Sequence, residues 1–128
     1  MTGLVLIIED NAFLNHQYEI ALELVGITPE FKRDGRRAVE RIECEPVPDV
    51  IVLDLHIPHV SGEEVFETIK AQGLASRVIV ITADEVMGER FRGRANDVVI
   101  KPTNLEQFLQ KILSHMPPDT PVPSEEIP

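Results

Sequence analysis

Residues 50–62 read VIVLDLHIPHVSG. Val50 to Leu53 are apolar at every position, and Asp54 closes the run. A strand with one wet face alternates apolar and polar residues; a continuous run of Val, Ile and Leu suits a strand covered on both faces. Proline and glycine follow at positions 58 and 62, and an amphipathic stretch opens at Glu63. The chain therefore reads here as buried strand, carboxylate, shaped loop, helix.

Similar apolar runs lie to either side. Leu4 to Glu9 and Val78 to Thr82 are buried-strand runs, and Asp97 to Lys101 is a fourth. Thr28 to Lys32 is a poorer strand containing Pro29, which is tolerated at a sheet edge. Helical spacing links Leu14, Tyr18, Ala21, Leu22 and Val25, with Gly26 as a stop. Arg36 to Glu43 and Glu63 to Gln72 read as helices, the second stopped by Gly73. A last helix carries Leu105, Phe108, Leu109, Ile112 and Met116, with Thr103 and Glu106 as its expected capping box. Strand and helix alternate throughout, which predicts a doubly wound α/β fold with a parallel sheet. Residues 1–116 form one domain, and the proline-rich acidic stretch 117–128 is expected to be a disordered tail.

Charge and cysteine content narrow the function. Twenty-two acidic residues against 12 basic give a net charge of −10, which disfavours nucleic acid and anionic membranes. Basic side chains gather at Lys32, Arg33, Arg36, Arg37 and Arg41, and again at Arg90, Arg92 and Arg94. Solvated faces explain them more simply than an acidic partner does. Cys44 is the single cysteine, flanked by Glu43 and Glu45, so neither an internal disulfide nor an activated thiol is expected. Leu4 to Ile8 is too short for a leader or a membrane span, and a cytoplasmic location is expected. His16, His59 and His115 lack metal-ligand spacing; His115 sits where a helix C-terminus favours a cation.

In an open parallel sheet, ligands bind beyond the carboxyl ends of the strands. The residues there are Glu9 and Asp10, Asp54, Thr82, and Lys101 with Pro102. Three converging carboxylates repel unless a cation neutralises them. A hard divalent ion with oxygen ligands, Mg²⁺ or Mn²⁺, meets that need. An ammonium and a hydroxyl beside them suit a phosphoryl group, with Asp54 as nucleophile.

These motifs together resemble the receiver domain family of two-component signalling. IIEDN resembles the acidic pair after the first strand, IVLDLHIPHVSG the phosphoacceptor strand and its loop, VIVITA the hydroxyl strand and VVIKP the lysine strand. The resemblance spans about residues 3 to 115 and implies the flavodoxin-like sheet order 2-1-3-4-5. It implies Asp54 as phosphoacceptor, and Glu9, Asp10, Asp54 and the His56 carbonyl as Mg²⁺ ligands. Lys101 becomes the phosphate-pairing lysine, joined to Pro102 by a cis bond, and Thr82 the switch hydroxyl. Ala83 leaves room beside the phosphate. His56 and Asp84 become the residues that tune the phosphoryl lifetime. Pro58 and Gly62 shape the loop after Asp54, Gly62 through a conformation that other residues avoid. The implied partner is a sensor histidine kinase or phosphotransfer protein. A downstream protein would then bind the receiver, itself a monomer or weak dimer.

Two stretches depart from the family. Ala83 to Asn96 is short, and Gly88 and Gly93 disfavour helix, so a fourth helix of two turns or fewer is expected. Val98 stands where the family usually places an aromatic. Valine has one stiff torsion and no ring to swing, so phosphorylation is expected to act on segment 83–96 through order and disorder. A stand-alone response regulator, not a turnover enzyme, is the leading reading. The alternatives are an unphosphorylated scaffold and an aspartyl-nucleophile phosphatase. The last needs an acid two residues after the nucleophile, where His56 stands.

Overall fold

Strands that are apolar at every position need helices on both sides, and the fold provides them. The computed structural model describes residues 3–118. Its elements alternate as β1 (Val5–Ile8), α1 (Ala12–Glu23), β2 (Glu30–Lys32), α2 (Gly35–Ile42), β3 (Val50–Asp54), α3 (Gly62–Ala71), β4 (Arg77–Thr82), α4 (Glu85–Phe91), β5 (Asp97–Ile100) and α5 (Leu105–His115). All strands are parallel, in the expected order β2-β1-β3-β4-β5. The order reverses between β1 and β3, which opens a crevice at their carboxyl ends.

Alternate side chains along each strand feed two separate cores. Leu6, Ile8, Ile51, Leu53, Val78 and Val80 pack against Ile42 of α2, Val65, Phe66 and Ile69 of α3, and Phe91 of α4. Val5, Ile7, Val50, Val52, Ile79 and Ile81 pack against Tyr18 and Leu22 of α1 and Phe108 and Ile112 of α5. Tyr18 and Phe108 stack with centroids 4.0 Å apart. Each fully buried large side chain contributes about 1.5–3 kcal/mol. Among the described residues no helix is long and apolar enough to cross a membrane.

The caps refine several expected boundaries. Asp34 and Ser61 accept from Arg37 N and Glu64 N, so α2 and α3 each begin one residue earlier than their apolar pattern implied. The expected Thr103–Glu106 capping box does not form. Asn104 caps α5, its Oδ1 accepting from Gln107 N at 2.7 Å. Asparagine and threonine are both good caps, and at adjacent positions the backbone decides which one is used. Gly26 and Gly73 end α1 and α3 with φ of 84° and 64°.

Gly62 corrects a second expectation. Its backbone is that of the first helical residue, not of the left-handed region. What requires glycine is space: a Cβ there would lie 2.4 Å from Leu55 Cα and 2.8 Å from the Asp54 carbonyl oxygen. The left-handed residue in this loop is His59, with φ 72°. Helix α4 has seven residues, two turns, as expected. Gly93 lies beyond it as its stop, so only Gly88 sits inside the helix. Cys44 is free and exposed. The expected disordered tail falls, from residue 119 on, outside the described residues.

Candidate functional site

The crevice between β1 and β3 collects charge. Glu9 follows β1, and its N–H continues the ladder to the Lys32 carbonyl at 3.0 Å. Its carboxylate points inward and is 1% exposed. Asn11 N donates to Glu9 Oε2 at 3.1 Å, and Asn15 Nδ2 donates to the Glu9 carbonyl at 2.9 Å. Asp54 ends β3 and is also buried; His56 N donates to its Oδ1 at 2.9 Å. Lys101 follows β5, two strands away. Its Nζ bridges Glu9 Oε1 at 2.9 Å and Asp54 Oδ2 at 3.1 Å.

Asp10 completes the cluster from the exposed lip. One carboxylate oxygen each from Glu9, Asp10 and Asp54 lie within 4.8 Å of one another. Burial pushes Glu9 up to about 7; the Lys101 bond opposes this, and the Asp54 charge adds to it. Burial alone would lower Lys101, but its bonds to Glu9 and Asp54 outweigh that and raise it. Tyr18 is pushed up to about 12 by burial and then by the Glu9 charge, so its phenol stays neutral against this site. One ammonium does not balance three carboxylates. An all-oxygen donor set with surplus negative charge fits a hard divalent cation.

The remaining expected residues surround this centre. Thr82 ends β4 fully buried, and its Oγ1 accepts from Asp84 N at 3.0 Å. Lys101 N donates to the Thr82 carbonyl at 2.8 Å, which joins the hydroxyl and lysine strands at the rim. The Lys101–Pro102 bond is cis. The Pro58 carbonyl accepts from Gly35 N at 3.0 Å, tying the loop after Asp54 to α2. His56 is exposed. The Asp84 carboxylate is engaged in capping α4, accepting from Val86 N and Met87 N at 3.0 and 3.1 Å. A 360 Å³ cleft lined by Leu14, Tyr18, Ala83, Lys101, Pro102 and Thr103 opens beside the ammonium.

Three contacts here were not read from the sequence. Arg33 Nη2 donates to the Asp10 carbonyl at 2.9 Å. Asn15 anchors Glu9, and Tyr18 lies against the charged pocket. A polar Asn15 one turn after Asn11, between core positions Leu14 and Tyr18, was the available signal. Arg33 carried none, because a guanidinium in a basic run reads as solvated.

Residues 5–113 match the response regulator receiver domain family. The chain belongs to this family. Receiver domains bind Mg²⁺ and exchange phosphoryl groups with histidine kinases or phosphotransfer partners. The chain is 29% identical over 120 residues to response regulator MprA of Mycolicibacterium vanbaalenii, covering 91% of this receiver and 52% of that protein. It is 29% identical to response regulator protein PmrA of Pseudomonas aeruginosa, covering 84% and 50%. This receiver thus spans about half the length of the curated relatives it matches. Among solved structures, the receiver of a putative LuxO repressor from Vibrio parahaemolyticus superposes with TM-score 0.82 at 26% identity, over 90% of each chain. The receiver of sensor histidine kinase PA1611 from Pseudomonas aeruginosa, with magnesium coordinated in its active site cleft, gives 0.76 at 28% identity, over 89% and 96%.

Proposed function

We propose that this receiver accepts a phosphoryl group on Asp54 from a sensor histidine kinase or phosphotransfer protein, in a Mg²⁺-dependent step, in the cytoplasm. The observation that carries the reading is the Lys101 ammonium spanning Glu9 and Asp54, with Asp10 completing a three-carboxylate cluster. Glu9, Asp10, Asp54 and the His56 carbonyl would hold the cation. Bound there, the ion supplies charge neutralisation and orients the phosphoryl oxygens.

The chain's own residues do the rest. An Asp54 carboxylate oxygen attacks phosphorus and forms a P–O bond. The donor's P–N bond breaks, and the departing imidazole keeps the electron pair. Lys101 stays beside the transferred group as a fixed positive charge. The Thr82 hydroxyl turns to donate to a phosphoryl oxygen and gives up the hydrogen bond that its Oγ1 now accepts from Asp84 N. Because Asp84 also caps α4, that release reaches the helix. His56 and Asp84 flank the acyl phosphate and set how fast water removes it. The result is a signalling module that passes its state to a bound protein, not an enzyme that turns over an external substrate.

Incubation with acetyl phosphate and Mg²⁺, followed by intact mass, tests this. A gain of one phosphoryl group, absent in Asp54→Asn and without Mg²⁺, is expected. No gain would point to an unphosphorylated scaffold. Steady phosphate release from unrelated esters would point to a phosphatase.

A further inference from the structure

The acid pair is anchored unevenly. Glu9 is held at its N–H by Lys32, at its carbonyl by Asn15, and at its carboxylate by Asn11 and Lys101. Asp10 is exposed, and among the described residues the one group hydrogen-bonded to it is the Arg33 guanidinium, on its carbonyl at 2.9 Å. Arg33 comes from the turn after β2, across the sheet edge from the β1–α1 turn that carries both acids. Yet Asp10 must keep an oxygen within 4.8 Å of Glu9 and Asp54 oxygens for the three to act together.

A peptide plane held at its carbonyl cannot rotate freely, and the side chain on that residue inherits the restraint. We infer that Arg33 is a positioning residue: by fixing the Asp10 carbonyl it holds the exposed acid against the buried pair, and so sets the affinity for a divalent cation. The inference rests on the reading of this cluster as the Mg²⁺ site. It assigns work to a side chain otherwise taken for part of a solvated basic run.

The sign of the effect separates positioning from charge. An arginine near a cation site repels the cation, so its removal should tighten binding if charge alone mattered. Loss of an anchor should weaken it. Partners that orient metal ligands commonly contribute about ten- to hundredfold in affinity; Arg33 is exposed, so about three- to tenfold is expected.

The experiment is Mg²⁺ titration of the full chain by calorimetry, for wild type, Arg33→Ala, Arg33→Lys and Arg36→Ala. Arg36 is an exposed neighbour from the same basic run. Weaker binding by Arg33→Ala, with Arg36→Ala equal to or tighter than wild type, is expected. Arg33→Lys keeps the charge but loses the planar fork and some reach, and should lie between alanine and wild type. The inference is overturned if Arg33→Ala binds Mg²⁺ as tightly as wild type or more tightly. Should Arg33→Ala fail to fold, Arg33→Lys decides: weakened binding supports the role, and wild-type affinity overturns it. A wild type that does not bind Mg²⁺ would instead overturn the reading of the site itself.

Discussion

Helices α3 and α4 each follow a strand that delivers a site residue, Asp54 in one case and Thr82 in the other, yet they are held very differently. Helix α3 has ten residues and buries Val65, Phe66 and Ile69, with Gly62 pressed on the Leu55 and Asp54 backbone. Helix α4 has seven and buries only Gly88 and Phe91, while Val86 is 71% exposed. Its far end is pinned to α3: the Arg94 guanidinium lies 4.8 Å from the Phe91 ring and 5.2 Å from the Phe66 ring and pairs with Glu67. Its near end rests on Asp84, which Thr82 also touches. The acceptor side thus has several buried anchors and a backbone contact, whereas α4 is held by buried Phe91 at its far end and, at its near end, by polar contacts around Asp84 that the proposed phosphoryl group would redirect.

The largest expected effect breaks the acceptor side. In Gly62→Ala the new Cβ meets backbone that cannot turn away, so a loss of about 3 kcal/mol or more is expected. In Gly88→Ala the new Cβ meets Ile100 Cδ1 at 2.5 Å, the free end of a flexible side chain. Alanine's helix preference, about 1 kcal/mol, offsets the crowding, so a change within about 1 kcal/mol is expected. Urea denaturation of both variants decides; equal losses would erase the contrast.

Acidity acts with opposite sign at Glu9 and at Asp97. The folded chain holds the Glu9 proton more tightly than the unfolded chain does. This contribution is therefore complete below about pH 4.5 and is lost as pH rises through about 7. The span from 4.5 to about 7 corresponds to roughly 3 kcal/mol. In metal-free buffer Glu9→Gln should gain on wild type between pH 5 and pH 8, and Mg²⁺ should stabilise wild type alone. Parallel pH profiles would contradict this.

Next in size is the cap. Asp84→Ala removes the acceptor for two N–H groups of α4 and should lose about 1 kcal/mol. Its hydrogen exchange should rise at residues 85–91 and stay unchanged at 62–71. Beryllofluoride with Mg²⁺ should likewise alter exchange of 84–95 in wild type far more than that of α3. Equal protection of 84–95 with and without it would remove the α4 switch.

The smallest effect lies at β5. Burial alone would raise Asp97, but bonds from His115, Lys111 and Val98 N outweigh it and hold the carboxyl below the usual range. This stability is present above the ordinary aspartate range and is lost as pH falls through the lowered value. Asp97→Asn should lose under about 1 kcal/mol at pH 7, and the deficit should shrink in acid. A deficit that grows on acidification would reverse the assignment.

Much of this was legible in the sequence, because a parallel sheet covered on both faces demands continuous apolar runs. Those runs place β1, β3, β4 and β5 to within a residue or so, and their last residues must share one rim. Glu9, Asp54, Thr82 and Lys101 could therefore be grouped before any contact was known. Two-turn α4 followed from the short span 83–96 and its two glycines.

Other features exist only once distant backbones meet. Gly62 looked like a residue chosen for its torsions, but its reason is a Cα of β3's loop packed where a Cβ would go. Adjacent caps at 103 and 104 are equivalent in one dimension, and the approach of α5 selects Asn104. Lys101 reaching both Glu9 and Asp54, Arg33 seated on Asp10, and Arg94 lying against the Phe66 ring each join residues far apart in the chain. Periodicity reports which face a side chain takes; only closure of the sheet sets the ångström distances on which charge coupling and close packing depend.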